Sequence, residues 1–224
     1  MSPALYLSAF TYGAARRLRN VTIALIFTGL PAVADPLTLV ALGDSLTAGY
    51  GLPEGDGFVP QLQAWLTAQG QDVQVINAGV SGDTTAGGLS RLDWTLTPDV
   101  DAMIVTLGGN DLLRGIPPET SRANIDAILT GAAARNLPVL LIPMDAPGNF
   151  GPDYKAAFDA IYPDLAAKHG AMISASFFSP LGADPAALRD FMQPDGIHPN
   201  KDGVAKVVET LGPKVLDLLA TVAP

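Results

Sequence analysis

Five short apolar runs, separated by segments of helical period, constrain this chain more than any other feature. The runs cover residues 37–42, 73–76, 103–107, 139–142 and, more weakly, 172–174. Each has the length of a buried strand, and the first and third stop at Gly43 and at Gly108-Gly109. Helices are expected over 58–68, 84–96, 119–134, 154–168 and 201–219, the last bent or broken near Pro213. Their apolar residues share faces, as with Phe158, Ile161 and Leu165. Strands that alternate with helices imply a parallel sheet covered on both faces, a doubly wound α/β domain of three layers, α/β/α. With no linker, repeat or low-complexity block, residues 35–224 read as one domain. In such sheets ligands bind at the carboxyl ends of the strands, beside the point where strand order reverses. Ser45 follows the first run, Gly82 the second and Asn110 the third, so the topology brings all three to one edge.

That edge lacks only a base. A serine hydroxyl is a poor nucleophile at neutral pH unless a base takes its proton and donors hold the oxyanion that forms. The chain has two histidines. His169 precedes Gly170 at a helix end, where capping and the helix dipole account for it. His198 lies in the turn-rich Asp195-Gly196-Ile197-His198-Pro199, with a carboxylate three residues away that can orient an imidazole. Taken alone, Ser45 is as well explained as a helix N-cap, and Asp195, Gly82 and Asn110 as turn residues.

Four blocks in order reverse those readings. Gly43-Asp44-Ser45-Leu46, Ser81-Gly82-Asp83, Gly108-Gly109-Asn110-Asp111 and Asp195-x-x-His198 resemble the motif blocks of the SGNH (GDSL-type) hydrolases over nearly the whole chain from Leu37 to about Val215. Within that family the spacing is similar to bacterial periplasmic multifunctional esterases with thioesterase, arylesterase and lysophospholipase activity. The resemblance implies a flavodoxin-like five-stranded sheet, a catalytic set of Ser45, Asp195 and His198, and an oxyanion hole of the Ser45 and Gly82 N–H groups with the Asn110 amide. It implies no cofactor, and a small acyl ester or thioester as substrate. By the same resemblance, Leu112 and the loop with Asp145, Ala146 and Pro147 border the acyl site. The Asp145-Ala146 pair departs from the basic-plus-large-apolar pair expected there, and small Ala146 is expected to open the groove wall. Asp111 reads as a structural acceptor. A polysaccharide or cell-wall O-deacetylase would use the same residues, and a binding module without chemistry would use none of them.

Charge and composition narrow the partners. Formal net charge is −9, and residues 1–34 contribute Arg16, Arg17 and Arg19 with no acids, so without those three charges it is −12. So acidic a domain is a poor nucleic-acid binder. The absence of cysteine excludes thiol catalysis, a disulfide framework and a cysteine zinc site, and two unrelated histidines do not make a metal site. The arginines, the apolar run 21–30, Pro31 and Ala32-Val33-Ala34 have the layout of a secretory signal peptide over 1–34. A cleaved, periplasmic or secreted protein is therefore expected, monomeric and without a membrane span.

Overall fold

The computed structural model describes residues 35–182 and 184–222, so the leader expected over 1–34 lies outside them. Five strands, β1 (Leu37–Gly43), β2 (Val73–Gly79), β3 (Ala102–Thr106), β4 (Val139–Leu141) and β5 (Met172–Ile173), form one parallel sheet in the order β2-β1-β3-β4-β5. This is the doubly wound arrangement the alternation predicts. From β1 the chain steps outward to β2, then crosses to β3 on the other side of β1. The reversal of strand order therefore lies between β1 and β3. Register fixes what emerges there: Gly43 pairs with Gly79 of β2 and with Thr106 of β3, so three strands end at one level.

Burial follows position. Every residue of β3 and β4 is buried, whereas edge strand β2 buries Val73 and Val75 and exposes Gln74 and Ile76. Helices α2 (Phe58–Ala68) and α10 (Lys201–Leu219) pack on each other. Helix α6 (Pro118–Ala133) packs on α3 (Thr85–Ser90), α7 (Pro152–Asp159) and α8 (Ile161–His169). With the sheet between these two groups, the fold has three layers. In α10, Val204, Val207, Val208, Leu211, Val215 and Leu218 form the buried stripe, and the Asn200 side chain caps the start by accepting the Gly203 N–H at 3.0 Å.

Three helical expectations need correction. The helix expected over 84–96 divides into α3 and α4 (Leu92–Thr95) at Arg91, whose φ of −111° and ψ of 8° leave the helical well. Gly87 and Gly88 weaken that helix, and the Arg91 side chain is drawn to groups outside it. The helix expected over 154–168 divides at Ala160. Pro163 has no N–H for the Asp159 carbonyl and its ring crowds that position, so the break falls just after Asp159 and Pro163 sits harmlessly in the first turn of α8. Conversely, α10 runs through Pro213 without interruption.

Candidate active site

Ser45 stands at the end of β1 because the chain must turn there within one residue. A Cβ on Gly43 would overlap the Thr47 hydroxyl and lie 2.9 Å from the Thr106 carbonyl, so only glycine lets the next turn fold back over the strand ends. That turn is the short helix α1 (Ser45–Ala48). Its N-cap is Asp44, not Ser45: Asp44 Oδ1 accepts the Leu46 N–H at 3.0 Å, and Ser45 is the first helical residue. Among the described residues the Ser45 N–H has no protein acceptor.

The second component is a loop closed on itself. Met192 and Pro199 form an antiparallel bridge, the Gln193 N–H donates to the His198 carbonyl at 2.8 Å, and Asn200 N–H donates to the Phe191 carbonyl at 2.8 Å. Inside this closure Asp195 Oδ1 accepts the backbone N–H groups of Ile197 and His198 at 2.9 and 3.0 Å, leaving Oδ2 for His198 Nδ1 at 2.6 Å. His198 Nε2 then meets Ser45 Oγ at 2.8 Å. The ring N–H of His198, followed by the two backbone N–H groups, holds the Asp195 carboxyl down at about 2. It is therefore an ionised acceptor, which sets the proton on Nδ1 and leaves the Nε2 lone pair facing the serine.

Gly82 and Asn110 arrive from the other two strand ends. Gly82 lies in a turn after β2, and its N–H, like that of Ser45, has no protein acceptor among the described residues. Asn110 belongs to α5 (Gly109–Leu113), one helical turn set directly behind β3. Its Nδ2 donates to Asp44 Oδ2 at 3.3 Å. A carboxylate only accepts, so the amide must turn its nitrogen toward Asp44, and the second N–H of that nitrogen is left for the cleft. Asp44 is 1% exposed, and burial pushes its carboxyl up to about 6 against the Leu46 and Asn110 donors and the nearby His198. Asp111, fully buried, accepts from Thr85 N and Oγ1 and from Ser121 Oγ at 2.6–2.8 Å, the structural role its sequence position suggests. The remaining histidine, His169, ends α8 far from Ser45 in the fold, with Nε2 at 2.5 Å from Asp126.

An apolar cleft of about 680 Å³ opens beside Ser45 and His198. Leu112, Asp145 and Pro147 line it, together with Leu113, Phe150 and Met192. Ala146 does not. It is 2% exposed; its N–H donates to Asp159 and its carbonyl accepts from Lys155, which turns the residue into the core behind the wall. The expectation that a small Ala146 opens the groove wall therefore fails, since its neighbours Met144, Pro147 and Phe150, with Leu112, Leu113 and Met192, form that wall. Two contributors escaped sequence reasoning. Tyr50 packs its ring on His198 with centroids 4.7 Å apart, and Gln193 Nε2 bridges the Tyr50 and Pro199 carbonyls at 2.8 and 3.0 Å. Neither carries a local signal beyond the proximity of Gln193 to Asp195. Among the described residues no three His, Cys, Asp or Glu side chains gather as metal ligands.

Comparison with known proteins bears on this geometry. The profile of the GDSL-like Lipase/Acylhydrolase family matches residues 41–206. Esterase TesA of Pseudomonas aeruginosa is 37% identical over 198 residues, 88% of this chain and 96% of that protein. The Escherichia coli thioesterase 1/protease 1/lysophospholipase L1 is 35% identical over 196 residues, 87% and 89% of the two chains. The crystal structure of AlinE4, an SGNH-hydrolase family esterase, superposes with a TM-score of 0.69 at 41% identity, covering 84% of this chain and 99% of that one.

Proposed function

The chain belongs to the GDSL-like lipase/acylhydrolase family, and on that premise we propose that it hydrolyses carboxylic esters and thioesters through an acyl-enzyme on Ser45. The observation that carries this reading is the pair of hydrogen bonds from Ser45 Oγ to His198 Nε2 at 2.8 Å and from His198 Nδ1 to Asp195 at 2.6 Å. Ser45 Oγ attacks the acyl carbonyl as His198 Nε2 takes its proton, and Asp195 stabilises the imidazolium that forms. The Ser45 and Gly82 N–H groups and Asn110 Nδ2 hold the oxyanion. His198 returns the proton to the departing alkoxide or thiolate. Water, deprotonated by the same nitrogen, then releases the acid and restores Ser45.

The apolar cleft takes the acyl group, with Leu112, Asp145 and Pro147 in its wall. The mostly apolar lining, with Leu112, Leu113, Met144, Phe150, Phe178 and Leu188, favours an acyl chain over the hydroxyls of a polysaccharide. The substrates are small neutral esters and thioesters of short to medium chain. Residues 1–34 are a signal peptide, the mature chain begins at Asp35, and it works as a periplasmic or secreted monomer. The leader's arginines, apolar run and Ala32-Val33-Ala34 support export, and the supply of all three reacting side chains by one chain supports the monomer. At a net charge of −12 after cleavage the surface disfavours the polyanionic carrier of acyl-CoA. A kcat/KM series over p-nitrophenyl esters and acyl-CoA of matched length, at two ionic strengths, tests this. Neutral esters are expected to lead, most clearly at low salt; better acyl-CoA turnover at low salt would contradict it.

A further inference from the structure

The turn that carries Gly82 is held from outside. Val80, Ser81, Gly82 and Asp83 form a β-turn closed by the Asp83 N–H on the Val80 carbonyl at 3.0 Å. Gly82 is its third residue, at φ +86°, the left-handed value that a type II turn requires there. Glycine accepts either sign of φ at little cost. The residue that permits this turn therefore does not fix it.

Two arginines bracket the turn. Arg114, at the end of α5, donates from Nη2 to the Gly82 carbonyl at 2.7 Å. Arg91 donates from Nε to Asp83 at 2.7 Å and from Nη2 to the Gly43 carbonyl at 2.8 Å. Gly43 also accepts the Val80 N–H at 3.0 Å, so the root of the turn is tied to the strand end that leads into Ser45. Arg114 reaches the turn from the segment that presents Asn110. The turn is thus anchored to the two other segments that would face an oxyanion. Arg114 is exposed, and its side chain makes no other hydrogen bond among the described residues. Ordering a long exposed side chain costs rotamer entropy, which a single bond to a glycine carbonyl must offset.

We infer that Arg114 is a positioning residue for the oxyanion: by holding the Gly82 carbonyl it ties the turn that carries the Gly82 N–H to the α5 segment that presents Asn110, while Arg91 fixes the other flank. The inference rests on the acyl-transfer reading above. A backbone donor cannot be deleted by substitution, so its orientation is what a variant can disturb. Arg114→Met keeps the apolar stem and removes the donors; Arg114→Lys keeps the charge without the fork.

The experiment compares both variants with the wild type on p-nitrophenyl butyrate. It reads the thermal midpoint, kcat, KM and the Ki of an alkyl boronic acid, which becomes a tetrahedral anion on Ser45. Loss of an oxyanion donor costs about 10²–10³ in rate, and its misorientation a part of that, so kcat is expected to fall about tenfold in both variants. KM and the midpoint should hold, and the boronate Ki should rise by the factor by which kcat/KM falls. Three outcomes would overturn the inference: variants with wild-type kcat, a kcat loss without change in boronate affinity, or an Arg114→Lys variant of full activity with an Arg114→Met deficit that salt abolishes. An inactive wild type would overturn the acyl-transfer reading as well, whereas an active wild type with unchanged variants overturns this inference alone.

Discussion

His198 and His169 each hold an aspartate, at 2.6 Å for Asp195 and 2.5 Å for Asp126, with side chains 14% and 13% exposed. The pairs differ in what surrounds them. Asp126 is shared: Lys168 Nζ sits at 2.7 and 2.8 Å from its two oxygens, and Lys168 ahead of His169 holds its carboxyl below the usual range. Asp195 gives one oxygen to backbone N–H groups and keeps the other for His198 alone. The second nitrogen of His198 meets Ser45, whereas Asp126 is the one side-chain partner of His169 among the described residues. Position decides this. His198 is carried by a loop at the carboxyl ends of the strands. His169 closes α8 just before β5 begins, at the opposite edge. A histidine bonded to a carboxylate is thus no sign of catalysis until its other nitrogen has something to act on.

Removal of each histidine separates the two pairs. His198→Ala is expected to lower kcat by about 10⁴ or more, and His169→Ala to leave it within about twofold. Ester hydrolysis by the two purified variants decides it, and the reverse ranking would contradict the assignment of the base. Next in size is Asn110→Ala, expected to cost about 10²–10³ in kcat with little change in KM, the loss typical of one oxyanion donor. An effect confined to KM would make Asn110 a ground-state contact instead.

A smaller effect separates two carboxylates at the same site. Asp195, hydrogen-bonded at the surface, is held down to about 2, whereas burial pushes Asp44 up to about 6. Because the folded value of Asp44 is raised, its contribution to stability is full below the ordinary 3.8 and is lost as pH rises through about 6. At about 1.4 kcal/mol per pH unit, the buried charge costs on the order of 3 kcal/mol at neutral pH. Asp44→Asn removes that cost. Urea unfolding at pH 4 and pH 8 should therefore show the wild type losing about 2–3 kcal/mol more than the variant over that interval. Parallel losses would mean that Asp44 is not buried as a charge.

Much of the site was legible because its signals are local. Apolar runs that stop at Gly43 and Gly108, with the alternation of strand and helix, place Ser45, Gly82 and Asn110 at one edge without any contact being known. Asp195 and His198 are close in sequence. What sequence reasoning missed depends on side chains reaching distant backbone. Nothing near Arg91 announces that it will bind the Gly43 carbonyl and end a helix in doing so, and nothing near Tyr50 announces that it will cover His198. Ala146 was misplaced for the same reason: Lys155 and Asp159, on a later helix, turn it inward. Its small size was readable, but its direction was not.

On the proposed mechanism Ser45 is a nucleophile whose proton His198, and not His169, removes. Labelling by a fluorophosphonate, mapped by peptide mass and followed in time, tests it most directly. Modification of Ser45 alone is expected, at the wild-type rate in His169→Ala and slower by about 10³ or more in His198→Ala. Modification elsewhere, or labelling of Ser45 at the wild-type rate without His198, would contradict it.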